Sequence, residues 1–286
     1  MDPAESQSAA TVRPARLSPR SSKVPLWHAD AFTARPFAGN PAAVCLLEAP
    51  GETQWMQAVA AEMNLSETAF LAPLAAGGFH LRWFTPKVEV DLCGHGTLAA
   101  AHTLWEARRL PRGEAARFRT RSGWLTAAWR GGWIELDFPA RPPRPIGSPP
   151  GLEEALGARP RTTCATHGQY LAEFEHEETV RGLRPDFGRL AGLDARGVIV
   201  TAAARGGDYD FVSRYFAPAA GIEEDPVTGS AHCCLAPYWA QKLGKREMTG
   251  YQASARGGVV KVRWEGERVF LAGRAVTVFT GFLRLP

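Results

Sequence analysis

Apolar residues recur along the chain in distinct rhythms. Over residues 53–63 they fall at Trp55, Met56, Val59, Ala60 and Met63, spacings of three and four that line one face of a helix. Short apolar runs bounded by turn residues predict strands at 24–32, 42–47, 65–71 and 79–84. Phe37-Ala38-Gly39-Asn40-Pro41 parts the first two, because Gly and Asn tolerate positive φ and Pro stops a helix. Residues 117–129 and 132–138 predict a hairpin about Gly131-Gly132, and 251–255 with 259–264 a second about Gly257-Gly258. Further strands are expected at 170–174, 197–202, 210–216, 269–272 and 275–285. Helices are expected near Leu152 and at 186–191. Hairpins outnumber strand–helix–strand crossovers, which favours an α+β class with mostly antiparallel sheets.

Two stretches share one pattern. Arg82-Trp83-Phe84-Thr85-Pro86 leads through an acidic connector to Cys93-Gly94-His95-Gly96-Thr97 and a small, apolar run to Trp105. Arg214-Tyr215-Phe216-Ala217-Pro218 leads likewise to Asp225-Pro226-Val227-Thr228-Gly229-Ser230 and a run to Trp239. The arginines stand 132 residues apart, the glycines 135 and the tryptophans 134. Two copies of a strand–turn–helix unit predict two similar halves with one site between them. Arg141 to Gly151, with five prolines, is the expected boundary.

Composition narrows the setting. The 286 residues are 45% hydrophobic and 22% charged, enough apolar residue for two cores. Residues 1–23 are rich in Ser, Ala, Pro and Arg and are expected to be disordered. The formal charge of +4 is partly theirs, so the basic balance is no nucleic-acid footprint. No apolar window is long enough to span a membrane. Five cysteines without a CxxC pair or metal-ligand spacing to histidine suggest reduced thiols in the cytoplasm, and no metal or cofactor.

Chemistry gathers at the repeated turns. A Gly-containing turn at a helix start leaves backbone N–H groups free and adds the positive end of the helix dipole. Such an end binds anions, so two facing ends suit a small anionic metabolite. His95 lies where the backbone meets a ligand, and an imidazole titrates near neutrality. Asp225 closes the second connector. Glu67 stands at the entrance of an apolar strand, where partial burial makes a carboxylate a usable acid/base. Cys93 offers another chemistry: a thiol at a helix N-terminus has a lowered pKa and can act as a base. A two-thiol racemase needs a second such cysteine, and the second copy has Pro226 or Val227 nearby, with Cys233 and Cys234 further on. The Pro237 ring sits inside the second helix and predicts a kink or interruption near Cys233. A non-catalytic scaffold on an enzyme fold is the reading from another class.

With these residues in view, the chain resembles the PhzF-like (phenazine-biosynthesis-like) family within the diaminopimelate-epimerase fold, its vertebrate branch in particular. The resemblance runs from Val24 to the C-terminus. It rests on Asp30-Ala31-Phe32, Gly39-Asn40-Pro41-Ala42-Ala43-Val44, Glu62-Met63-Asn64-Leu65-Ser66-Glu67-Thr68, Phe84-Thr85-Pro86 through Cys93-Gly94-His95, and Glu224-Asp225-Pro226-Val227-Thr228-Gly229-Ser230-Ala231. It implies two domains, 24–140 and 141–286, each a curved sheet around a central helix, with the last strand crossing to the first domain. It implies cofactor-independent isomerisation in the cleft between them, a homodimer, and a glutamate that moves a proton. That position falls on Glu67, with His95, Asp225 and Ser230 in support. Gly94 and Gly229 lend backbone donors, and Asn40, Gly96 and Thr228 complete the substrate-binding set.

Overall fold

The computed structural model describes residues 23–284. The tail 1–22 lies outside them, while Lys23, expected in the tail, opens the first strand. Strands β1 (Lys23–Ala31) and β2 (Asn40–Leu46) flank a turn in which Phe32 and Phe37 take positive φ of 62° and 66°. Gly39 admits no side chain, since a Cβ there would stand 2.1 Å from the Ala31 carbonyl oxygen. The amphipathic segment is helix α1 (Thr53–Met63), closed by Asn64 in the left-handed region with its N–H on the Ala60 carbonyl. Next come β3 (Glu67–Pro73), β4 (Phe79–Phe84), β5 (Glu89–Val90), α2 (Gly94–Glu106), β6 (Ala116–Thr120), β7 (Gly123–Arg130) and β8 (Trp133–Pro139). Residues 117–129, expected as one hairpin arm, are thus parts of two strands. The break is a local turn in which the Thr120 hydroxyl donates to the Gly123 carbonyl (2.8 Å) and accepts from the Ser122 N–H (3.1 Å).

The second half holds β9 (Arg144–Ile146), α3 (Leu152–Leu156), β10 (Thr162–Thr166), β11 (Gln169–Glu173), α4 (Glu177–Gly182), α5 (Phe187–Ala191), β12 (Gly197–Ala203) and β13 (Phe211–Ala217). It continues with β14 (Ile222–Glu224), α6 (Gly229–Leu243), β15 (Glu247–Gln252), β16 (Gly258–Glu265), β17 (Arg268–Gly273) and β18 (Ala275–Arg284). The proline-rich stretch expected between the halves carries β9, paired to β10. The strand expected at 251–255 starts earlier and ends at Gln252.

The pairing pattern repeats. In the first half β1–β2 is antiparallel, β2–β3 parallel, β3–β4 antiparallel, β4–β6 parallel, and β6–β7 and β7–β8 antiparallel. In the second half β10, β11, β12, β13, β15, β16 and β17 follow the same sequence of senses. The two ribbons join where β8 pairs antiparallel with β17. The last strand, β18, returns to pair with β1 along its length. Both acidic connectors are pinned alike. Arg82 makes a two-pronged bond to Glu89 (2.7 and 2.6 Å) and Arg214 one to Glu224 (2.7 and 2.9 Å).

Each ribbon curls around its own central helix. Leu98 to Ala101 of α2 and Cys234 to Ala236 of α6 are fully buried, small enough for strands to approach. Larger fillers such as Trp83, Phe118, Phe211 and Trp239 close the space, each contributing on the order of 1.5–3 kcal/mol by burial. Outer helices cover the far faces: α1 over β1–β4, and α3, α4 and α5 over β11–β13. The expected interruption of α6 is absent, and Pro237 lies within a continuous helix. Proline removes the N–H that would bond the Cys233 carbonyl four residues back. That carbonyl instead accepts the backbone N–H of Arg141 at 3.0 Å, so the linker between the halves replaces the lost bond.

Candidate active site

The N-termini of α2 and α6 meet end to end. A Cβ at Gly94 would lie 3.1 Å from the Gly229 Cα, and one at Gly229 3.2 Å from the Gly94 Cα, so only glycine lets the two backbones touch. Around this junction opens a cleft of about 480 Å³. Glu67, Cys93, Gly94, His95, Asp225, Thr228, Gly229 and Ser230 all face it.

Glu67 arrives through β3, whose parallel register sets it beside Ala42, two residues from Asn40. Its Oε2 lies 2.9 Å from His95 Nε2, and the Glu67 side chain is 14% exposed, open to the cleft alone. On the other side of the ring, Asn40 Nδ2 stands 3.1 Å from His95 Nδ1, 2.7 Å from Asp225 Oδ1 and 2.9 Å from the Val227 carbonyl. Asn40 has two amide hydrogens for these three acceptors. Asn40 itself is fully buried and behind the cleft wall, so it positions His95 and Asp225.

Charge in this cluster is strongly coupled. Burial works against a charged His95, but Cys93 and Glu67 beside it more than offset this and carry the imidazole well above its ordinary pKa. The Cys93 thiol is pushed up by burial and then by the Glu67 carboxylate, so it is neutral at ordinary pH. The lift on His95 that remains is that of Glu67. The lowered thiol pKa expected at the helix end is therefore reversed, since enclosure and a nearby anion outweigh the helix dipole. Asp225 is raised to about 6, by burial first, with His95 opposing and Glu67 adding. Its carboxylate is held by the Thr228 hydroxyl (2.6 Å) and by Asn40.

Some expected residues stand elsewhere than the pattern suggested. The Gly96 N–H bonds Cys93 Sγ at 3.2 Å and is not free for a ligand. A Cβ at Gly96 would meet Trp83 Cδ1 at 2.8 Å, so close packing explains this glycine. The Thr228 N–H is likewise taken, by Gln252 Oε1 at 2.9 Å. Thr228 holds the N-cap position of α6 as Cys93 holds that of α2, 135 residues apart like the glycines, though only the Cys93 side chain accepts a capping bond. The counterpart of Cys93 is thus Thr228, and neither Pro226 nor Val227. Cys233 and Cys234 are enclosed, with Cys233 pushed by burial to about 12. Ser230 lines the cleft beside Gly229.

Sequence reasoning missed Gln252 and Arg256. Fully buried, Gln252 ends β15 and also donates to the Asp225 carbonyl at 2.7 Å. Arg256 donates to the Gly39 carbonyl (2.8 Å) and to the buried carboxylate of Asp30 (2.7 Å), fixing the turn that carries Asn40. Asp30-Ala31-Phe32 among the quoted motifs was the available signal for that clasp. The donor atoms of Glu67, Cys93 and His95 lie within 4.8 Å of one another. Carboxylate, thiolate and imidazole are zinc ligands, so this trio is where the described residues could hold a metal. Spacing gave no hint, because Glu67 comes from a separate strand.

A family model described as phenazine biosynthesis-like protein matches residues 29–281. The chain belongs to the PhzC–PhzF family. An uncharacterized isomerase of Halalkalibacterium halodurans is 52% identical over 91% of the chain and 98% of its own length. The human phenazine biosynthesis-like domain-containing protein is 39% identical over 91% and 99%, so the bacterial relative is the more similar of the two. The solved PhzF-family protein of Enterococcus faecalis superposes with a TM-score of 0.88 at 40% identity, covering 92% of this chain and all of that one. A hydroxyproline epimerase at 11% identity shares the diaminopimelate-epimerase-like fold alone, with a TM-score of 0.62. Isomerase is the class of activity that the curated relatives in this family carry. Among the described residues, no helix of the PhzF-family chain is long and apolar enough to cross a membrane.

Proposed function

We propose that this isomerase moves a proton on a small carboxylate-bearing metabolite without a cofactor, with Glu67 as acid and base. The metabolite's carboxylate sits against the paired helix ends at Gly94 and Gly229, where dipole and free N–H groups converge. Glu67 removes a proton from a carbon made acidic by neighbouring unsaturation or by the carboxyl group. The electron pair of the broken C–H bond delocalises into that neighbour, and protonated Glu67 returns the proton at the far carbon of the unsaturation, or at the same carbon where the carboxyl group alone holds the pair. His95, held by Asn40, balances the charge on Glu67 as the proton leaves and returns. Asp225, with a pKa of about 6, takes or gives a proton to the same network near neutrality, and Ser230 orients the substrate. Five buried, unpaired cysteines support a cytoplasmic setting.

The observation that carries this reading is the convergence of Glu67, His95 and Asp225 in one cleft, with Glu67 Oε2 at 2.9 Å from His95 Nε2. The thiol-pair alternative is disfavoured by Thr228 at the second cap and by a Cys93 thiol pushed upward. The test is a metabolite screen in deuterium oxide. Wild type should place solvent deuterium on at least one small acid, and Glu67→Gln should cut that rate by about 10²–10⁴. A Glu67→Gln protein that exchanges within tenfold of wild type sinks the assignment. A folded wild type that exchanges nothing favours a scaffold.

A further inference from the structure

Two arginines in the cleft have no acid to answer them. Arg141 and Arg196 both line the cavity, and no carboxylate among the described residues lies within ion-pair distance of either. The acids of the cleft are otherwise engaged. Glu89 is held by Arg82 and Arg121 (2.6 Å each), Asp91 lies 3.6 Å from Arg121, and Glu67 faces His95. Asp225 is tied by Thr228 and Asn40. Arg141 and Arg196 are therefore the cations of the cleft without a carboxylate partner, and an anionic ligand would neutralise them.

The backbones of both arginines are held in place by hydrogen bonds. Arg141 is clamped on both sides of its backbone, its N–H on the Cys233 carbonyl (3.0 Å) and its carbonyl under the Thr166 hydroxyl (3.2 Å). The first of these bonds exists because Pro237 frees that carbonyl. Cys233 lies one helical turn beyond Gly229, about 6 Å along the axis. So α6 presents the anion-binding end and, one turn on, fixes the arginine. Arg196 is held by its N–H on the Gly168 carbonyl (2.7 Å) at the mouth of β12. Tyr215, 6% exposed, lines the same cleft, and its hydroxyl accepts from Gln169 Nε2 (2.8 Å) and has its own proton to give. Arg141, Arg196, Tyr215 and Asp225 all line the same cleft.

We propose a second anion subsite at Arg141, Arg196 and the Tyr215 hydroxyl, so that the substrate is a dianion, a small dicarboxylate with one carboxylate at the Gly94–Gly229 junction and the other here. The inference rests on the isomerase reading for its first anion site, and it names the substrate class. Planar guanidinium forks bind a carboxylate through two parallel bonds, and the tyrosine proton adds a third donor.

The test separates this subsite from the isomerase reading by measuring binding. Glutarate and benzene-1,3-dicarboxylate are titrated by calorimetry against butyrate and benzoate. Wild type should bind each dicarboxylate at least tenfold more tightly than its one-acid partner, and the preference should shrink as salt is raised. The double variant Arg141→Gln/Arg196→Gln should reduce the preference below twofold. If that variant does not fold, Arg196→Gln alone carries the test, since this exposed side chain makes no hydrogen bond or ion pair among the described residues, and at least a threefold loss is expected. Equal binding of both classes to wild type overturns the subsite, as does a preference that survives substitution. A preserved preference with no deuterium exchange in any dicarboxylate overturns the isomerase reading and leaves the subsite standing.

Discussion

At the scale of single residues, the site is a small set of atoms that cannot be replaced without moving a backbone. Gly94 and Gly229 touch, and Gly96 is filled by Trp83 and the Cys93 sulfur. Asp225 is the carboxyl of the site whose titration burial raises, from an ordinary 3.8 to about 6. A carboxyl raised on folding binds its proton more tightly in the folded state. Its contribution to stability is therefore complete below about pH 3.8 and is lost as pH rises through 6. Asp225→Asn mimics the neutral form at every pH. The stability of wild type relative to that variant, read from melting temperatures, should fall between pH 4 and pH 6.5, and a flat difference would refute the assignment. The glycines were legible because they recur at matching places in two copies, and Glu67, His95 and Asp225 because the quoted motifs frame them. Gln252 was not, since an amide at a strand end gains meaning only from the Thr228 and Asp225 backbone it meets in space. Asn40 and Gly96 were legible as part of the site but not in their roles. A side-chain amide behind a histidine and an N–H turned to a sulfur look the same in sequence as ligand contacts.

At the scale of elements, what repeats is a strand whose arginine grips its own outgoing connector. Arg82 and Arg214 each hold one glutamate in two bonds, and Arg214 adds the carbonyls of Val180 (3.3 Å) and Leu183 (2.8 Å). Arg214 is 7% exposed, so removing it strands a partly buried Glu224 and two carbonyls. Arg214→Met should cost about 3–5 kcal/mol in urea unfolding. The exposed pair Arg189–Asp186 is a fair control, and Arg189→Met should cost under about 1 kcal/mol. Equal costs would mean that the repeated clasp is ornamental. Strand rhythm and helical spacing found most elements, and α1 and β4 to the residue. The splitting of 117–129 was hidden because the Thr120–Gly123 turn is closed by the Thr120 hydroxyl, in a stretch whose one glycine does not by itself mark a break. The continuity of α6 was hidden because the bond that replaces proline's comes from Arg141, nearly a hundred residues earlier in the chain.

At the scale of the molecule, the two ribbons are joined twice, and the joints decide how the protein unfolds. β8 pairs with β17 from Ile134 to Pro139, and β18 runs back along β1 from Lys23 to Ala31. Neither half can open without breaking one of these ladders. The largest buried cluster is continuous from Ala29 and Trp83 through α2 to α6 and Leu271, so no dry boundary separates two cores. The cleft lies where the helix ends meet, and opening there would expose the Gly94–Gly229 contact and the buried Asn40 at once. Two similar halves might be thought to unfold in two steps, as loosely tethered domains do. The ladders and shared core argue for one step. Native-state hydrogen exchange should then give the most protected amides of α2 and α6 the same opening free energy, within about 0.5 kcal/mol, and the same dependence on urea. A gap of several kcal/mol between the two helices would mean that one half opens alone. In that case the β8–β17 and β1–β18 pairings could not be what holds the cleft in register.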